Sequence, residues 1–344
     1  MKMKKMLAGL LALALCLGAM AGCSSDAGNE SAPAESPSEA ITDAVESGEI
    51  DGAKVGVLVV STQSQWCNDL IAGVTEVCEA NGMQVIVSDS QVSVDQEIAG
   101  MENLINAGCD AIVVNCMNAA GLADLCQQAQ EQGIYIIGWS EELVHYDAMV
   151  VEDKPAQSAM VADAIESFIT EKGLETPEMA TIWLADANNP DTNAGQYKAA
   201  QEAAFEERLV NGLGVNIVNS QYASDTNASM NVAEAILAAN PDVKIIFTQS
   251  DEMGVAVSQV LEARGAAPGD IMIIGLDGTD EAIRTIAAGT NCMTATVYVD
   301  TVAIGRGCGN SIVDFLADGT KSDIITEYTL IDGSNAAEYV TEAE

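Results

Sequence analysis

The stretch Ile271-Met272-Ile273-Ile274-Gly275-Leu276-Asp277-Gly278-Thr279-Asp280 decides the fold class. Four apolar residues in succession are too few for a helix and suit a strand buried on both faces, as in a parallel sheet. Asp277 stands at the C-terminal edge of that strand. Thr279 can cap a new helix, with Asp280 and Glu281 in its positive first turn. Ligands of open α/β sheets gather outside the carboxyl ends of the strands. Asp277 therefore reads either as a ligand-facing acceptor or as an Asp-Gly turn residue that only reverses the chain.

Outward from this stretch, strand and helix patterns alternate. Strands are expected at Lys54–Val60, Gln84–Ser88, Ala111–Asn115 and Ile134–Trp139, with helices between them. The helix over Asn68–Ala80 shows Leu70, Val74 and Val77 on one face and stops at Asn81-Gly82. The spacing of roughly 25 to 30 residues from strand to strand suits right-handed βαβ crossovers. A second set follows Met149–Glu152, with strands at Ala180–Leu184, Val215–Asn219, Lys244–Thr248, the opening stretch, Met293–Val299 and Ile324–Leu330. These units are too many for one doubly wound sheet and fit two sheets with helices on both faces. A TIM barrel, which needs eight such units, is the alternative.

The N-terminus reads as a targeting segment. Lys2, Lys4 and Lys5 precede an apolar run, Met6–Leu17, and small residues up to Cys23. The run is shorter than the ~20 apolar residues of a membrane span. Ala21-Gly22-Cys23 resembles a bacterial lipobox, with Met20 where Leu is usual. Residues 1–22 are then a signal peptide and Cys23 the lipidated first residue. Residues 23–50, rich in Ser, Ala, Pro, Asp and Glu, form a flexible tether. Beyond it the chain is long enough for two domains.

Acids outnumber bases 52 to 13, a net charge of −39. Nucleic-acid binding, which needs basic patches, is disfavoured. Besides Cys16 and Cys23, seven cysteines remain, at positions 67, 78, 109, 116, 126, 292 and 308. An odd number with no C-x-x-C pair is neither a disulfide framework nor a zinc site. They read as free thiols, suited to an anoxic habitat. His145 is the only histidine, and no G-x-S-x-G elbow, P-loop or strand-linked G-x-G-x-x-G is present. No cofactor and no metal is expected. Gly305-Arg306-Gly307-Cys308-Gly309 falls in a helical pattern and points to close helix packing rather than phosphate binding.

What remains is a set of polar strand ends. They comprise Gln65 and Trp66 after the first strand, Asn115 at the end of the third, and Trp139, Ser140 and Glu141 at the fourth. The second half adds the Asp186–Asn193 loop, Ser250 and Asp277. Amide, hydroxyl and carboxylate groups with a few aromatic plates suit a neutral polyhydroxylated ligand, whose C–H face packs on a ring.

Pro241–Met253, with Gln249-Ser250-Asp251-Glu252-Met253 at its end, and Ile274-Gly275-Leu276-Asp277-Gly278-Thr279 resemble the ribose-binding-protein branch of bacterial periplasmic sugar-binding proteins. Val59-Val60-Ser61-Thr62 and Ile112–Asn115 match it too. The resemblance covers nearly all of Asp51–Ile331. It implies the periplasmic binding protein type I fold: two Rossmann-like lobes of doubly wound parallel sheet, joined by a three-segment hinge, with ligand in the cleft. The expected lobes are 51–151 plus 301–323, and 152–300 plus 324–344. The resemblance places Gln65 and Trp66 on a sugar-contacting loop. Ser140 and Glu141 stand where an Asp-Arg pair is usual, and Asn193 where a second Arg is usual. Ser224 or Asp225 falls near an aromatic position. Ser250 replaces an Asn and Val299 a Gln, while Asp277 is kept. These departures point away from ribose, leave the site short of arginine, and favour a ligand with many donors, such as an amine-bearing or unusual sugar.

The reading is an extracytoplasmic solute-binding lipoprotein of an ABC importer, not an enzyme. It closes on a sugar-like molecule and docks on permease subunits. It is expected to act as a monomer and to touch the membrane only through its lipid. A lipoprotein that presents its solute to a histidine kinase or chemoreceptor, one that binds a nucleoside or other non-sugar ligand, and a surface hydrolase are the alternatives.

Overall fold

The computed structural model describes residues 50–340. The expected signal peptide, Cys23 and all of the tether but Ile50 lie outside the described residues. Twelve strands are present among the described residues: β1 (Lys54–Val59), β2 (Gln84–Asp89), β3 (Ala111–Asn115), β4 (Tyr135–Trp139), β5 (Ala148–Val151), β6 (Glu178–Leu184), β7 (Asn216–Ala223), β8 (Val243–Thr248), β9 (Met272–Asp277), β10 (Met293–Val299), β11 (Ile324–Ile325) and β12 (Tyr328–Asp332). They form two open six-stranded sheets, ordered β11-β5-β4-β3-β1-β2 and β12-β10-β9-β8-β6-β7. Only β12 is antiparallel to its neighbour. Neither sheet closes on itself, so the chain is two α/β lobes and not a TIM barrel.

The apolar runs explain the arrangement. In β1, Val55, Val57 and Val59 face one core and Leu58 the other. In β9, Ile273 faces one core while Met272, Ile274 and Leu276 face the second. Strands apolar at both parities bury both faces, which only helices on both sides can supply. Helix Asp280–Ala288 begins at Thr279, whose hydroxyl accepts the Ala282 amide at 3.3 Å.

Helix Thr301–Asp318 follows β10 of the second sheet but packs in the first lobe, against helix Gln65–Ala80. The glycine-rich run makes that approach possible. A Cβ on Gly305 would lie 2.4 Å from the Leu70 carbonyl oxygen, and one on Gly73 would lie 2.1 Å from that of Val302.

The chain crosses between sheets after β5, after β10 and after β11. The last crossing corrects the single strand expected over Ile324–Leu330, and it moves Ile324 and Ile325, expected in the second lobe, to the first. Ile324 and Ile325 pair in parallel with Val150 and Val151 of the first sheet, whereas Tyr328–Asp332 pairs antiparallel with β10 of the second. The chain stays extended through Thr326 and Glu327 while changing partners, so its pattern looks like one strand. All seven cysteines at 67–308 are buried and unbridged. Among the described residues no helix is long and apolar enough to cross a membrane.

Candidate functional site

Parallel sheets direct the C-terminal ends of their strands to one side. Here the ends from both lobes meet around a cavity of about 320 Å³. The first lobe contributes Ser64, Gln65, Trp66, Ser140 and Glu141; the second contributes Asn193, Tyr197, Ser250, Glu252, Asp277 and Thr279. A second cavity of about 230 Å³ shares Gln65, Trp66, Asp277 and Thr279 with the first and adds Asp69, Tyr298 and Tyr339.

Direct bonds already join the lobes at this site. The Asn193 amide donates to Glu141 Oε1 at 2.9 Å, and Asn193 Nδ2 donates to Ser140 Oγ at 3.3 Å. Ser140 has a left-handed backbone, φ +75°. Burial raises the Glu141 carboxyl above its ordinary value, and the Asn193 amide only partly offsets it.

Asp277 lines both cavities. Its φ of +103° is rare for a residue with a side chain. Fully buried Asp251 holds this turn: its Oδ2 accepts the Gly278 and Thr279 amides, each at 2.8 Å. Gly278 is required there, since a Cβ would meet Tyr298 at 2.2 Å. Burial, then the charges of Asp251 and Glu252, push the Asp277 carboxyl well up. Burial likewise pushes Asp251 up to about 7.

The sequence-expected residues separate into two groups. Gln65, Trp66, Ser140, Glu141, Asn193, Ser250 and Asp277 share the larger cavity. Asn115, Trp139 and Ser224 line neither cavity. Asn115 is buried behind the wall, where its Oδ1 accepts from Val60 N at 3.4 Å and Cys67 Sγ at 3.6 Å. Trp139 is wholly buried and backs Trp66, with ring centroids 3.9 Å apart; its Nε1 donates to Glu152 at 3.3 Å. It therefore fixes the plate rather than serving as one. Ser224 follows edge strand β7, where the chain turns to cap helix Thr226–Ala239, and its hydroxyl is taken by Asp225 at 2.9 Å.

Sequence reasoning missed Gln157, Tyr197 and Glu152, which line the cavity from helix Lys154–Lys172, helix Asn193–Ala204 and the preceding crossing. Gln157 and Tyr197 lie inside helices rather than at strand ends, and Glu152 follows the short strand β5. Asp251 was visible in Gln249-Ser250-Asp251-Glu252, but its role needs the 277–279 turn beside it. Gln249 proves structural: it accepts from Leu184 N at 3.1 Å and donates to the Ala194 carbonyl at 2.8 Å. No group of metal-binding type occurs among the described residues.

The family model described as a periplasmic binding protein domain matches residues 55–321. The chain belongs to the periplasmic binding protein family. Relatives agree with its ribose-binding-like branch. The ribose import binding protein of Bacillus subtilis (strain 168) is 23% identical over 277 residues, 78% of this chain and 84% of its own. The D-allose-binding periplasmic protein of Escherichia coli (strain K12) is 26% identical over 295 residues, 81% of this chain and 90% of its own. The fold is similar to that of a periplasmic ribose ABC transporter protein from Conexibacter woesei, with a TM-score of 0.72, 21% identity and coverage of 86% of this chain and 96% of that one. It is equally similar to a Caulobacter myo-inositol binding protein, with a TM-score of 0.71, 19% identity and coverage of 83% and 95%. The periplasmic binding protein thus has the type I fold of its family.

Proposed function

We propose that this periplasmic binding protein captures a sugar-like polyol between its lobes and delivers it to the permease of an ABC importer, without chemical change to the ligand. The observation that carries the reading is the shared cavity: strand ends of both lobes meet there, with the Trp66 ring on one side and hydroxyl, amide and carboxyl groups on the others. A ring packs on the C–H face of a polyol, and the polar groups bond its hydroxyls. Relatives named for ribose and allose binding support this class of ligand.

Closure is the mechanism. The three crossings act as the hinge, and the bonds from Asn193 to Ser140 and Glu141 latch the lobes. Closing expels water and strengthens each polar contact inside. Cys23, acylated after signal cleavage, would hold the protein at the outer face of the membrane.

Isothermal titration of the protein with pentoses, hexoses and cyclitols tests the reading. One saturable site is expected, with a smaller radius of gyration in small-angle scattering and the ligand recovered intact. Turnover of the ligand, or no binding across the whole panel and the amino derivatives of its members, would overturn it. Detergent-phase partitioning that is lost in Cys23→Ala is the expected sign of the anchor.

A further inference from the structure

The charge of the cavity is one-sided. Glu141, Glu152, Asp186, Glu252 and Asp277 all line it, and no lysine or arginine does. Asp69 extends the acidic wall into the adjoining cavity, which also has no basic lining residue. The base beside the site, Lys154, is already engaged: its Nζ lies 3.2 Å from Glu152 and 4.8 Å from the centroid of the Tyr197 ring.

An independent feature points the same way. Gln157 is only 3% exposed and lines the cavity, yet its Oε1 has no hydrogen-bond partner. Asn193 Oδ1 is also unpartnered, while its Nδ2 is used by Ser140. Both orphaned atoms are acceptors. An unpaired buried acceptor is costly, so a ligand that brings donors suits the site. A neutral sugar brings acceptors as well as donors, and this wall has no cationic donor to meet its oxygens. An ammonium brings three donors and no acceptor.

We infer that the ligand is cationic: an amine-bearing sugar or cyclitol whose ammonium is neutralised by Asp277 and the carboxylates around it, with its ring against Trp66. This rests on reading the cavity as the solute site. A cation there also relieves the repulsion that Asp251 and Glu252 impose on Asp277.

Calorimetry with matched ligands tests the inference: glucose and galactose, glucosamine and galactosamine, the N-acetylated amines, and the diamine putrescine. Each amine should bind at least about tenfold more tightly than its neutral parent at pH 7, the value of one charge-assisted hydrogen bond. N-acetylation, which removes the charge, should abolish the gain. Asp277→Asn should erase the preference without unfolding the protein, since Asn tolerates positive φ. Glu252→Gln, at an exposed position, should reduce it in part. Neutral parents binding as tightly as their amines would overturn the cationic ligand and leave the sugar reading standing. Putrescine binding alone would support the charge and end the sugar reading. No binding by any of these compounds would count against both.

Discussion

Asp251 offers the sharpest test of how the site is built. It is fully buried, and one oxygen accepts two backbone amides that hold the 277–279 turn. Asp251→Ala removes both bonds and strands the buried Gly278 amide. Taking about 1 to 2 kcal/mol for each bond, the expected loss is about 2 to 4 kcal/mol at pH 7. Asp251→Asn can place its carbonyl where that oxygen stands, keeping both bonds without a buried charge. The pH dependence separates these effects. Burial raises the carboxyl from its ordinary 3.8 to about 7 in the folded chain. Between those values the folded state holds more protons than the unfolded state. The contribution of Asp251 to stability is therefore complete below about pH 4 and is lost as pH rises through about 7. Asp277 and Glu141, also raised, act with the same sign. Urea unfolding followed by tryptophan fluorescence at pH 5 and pH 8 should show native stability falling, Asp251→Asn falling less, and Asp251→Ala least stable at pH 5. Equal pH slopes for the native chain and Asp251→Asn, together with an Asp251→Ala variant of unchanged midpoint and ligand affinity, would refute the argument.

Gly305→Ala should lower stability by about 1 to 3 kcal/mol in urea unfolding, because its Cβ would press on the Leu70 carbonyl. Gly212→Ala, whose Cβ meets nothing closer than 3.7 Å, should be neutral or slightly stabilising. Trp66→Ala should weaken ligand binding at least about tenfold in titration calorimetry, whereas Trp139→Phe, behind it, should cost stability more than affinity. Thiol reagents should leave the seven cysteines at 67–308 untouched until the chain is denatured, since all are buried and burial pushes Cys78 up to about 12.

The layer architecture was legible because it depends on local pattern. Apolar runs such as Val55–Val59 and Ile273–Leu276 require cover on both faces, and Thr279 marks a helix start without reference to anything distant. The close packing foreseen for Gly305–Gly309 was legible for the same reason, as small residues on a helix face leave room for a neighbour. Strand ends bearing Gln65, Ser140, Asn193 and Asp277 were legible as a group because a parallel sheet sends all its C-terminal ends one way.

Whether a given polar or aromatic residue at such an end reaches the ligand space is another matter. Trp66 and Trp139 read alike in sequence; stacking one on the other puts the first at the cavity and buries the second. Ser224 read like Ser250, but edge strand β7 carries its loop away from the cleft. Gln157, Tyr197 and Glu152 came to the site only when the two lobes faced each other. Periodicity thus determined which segments are strands and helices and that the strands are covered on both faces, because burial on a face is a property of neighbouring residues along the chain. That the strands form two open sheets rather than one closed barrel was decided by tertiary structure. The lining of the cavity, its surplus of acceptors and the Asp251 prop beneath Asp277 were decided by tertiary structure, because they depend on side chains from distant segments meeting across a gap that no local pattern encodes.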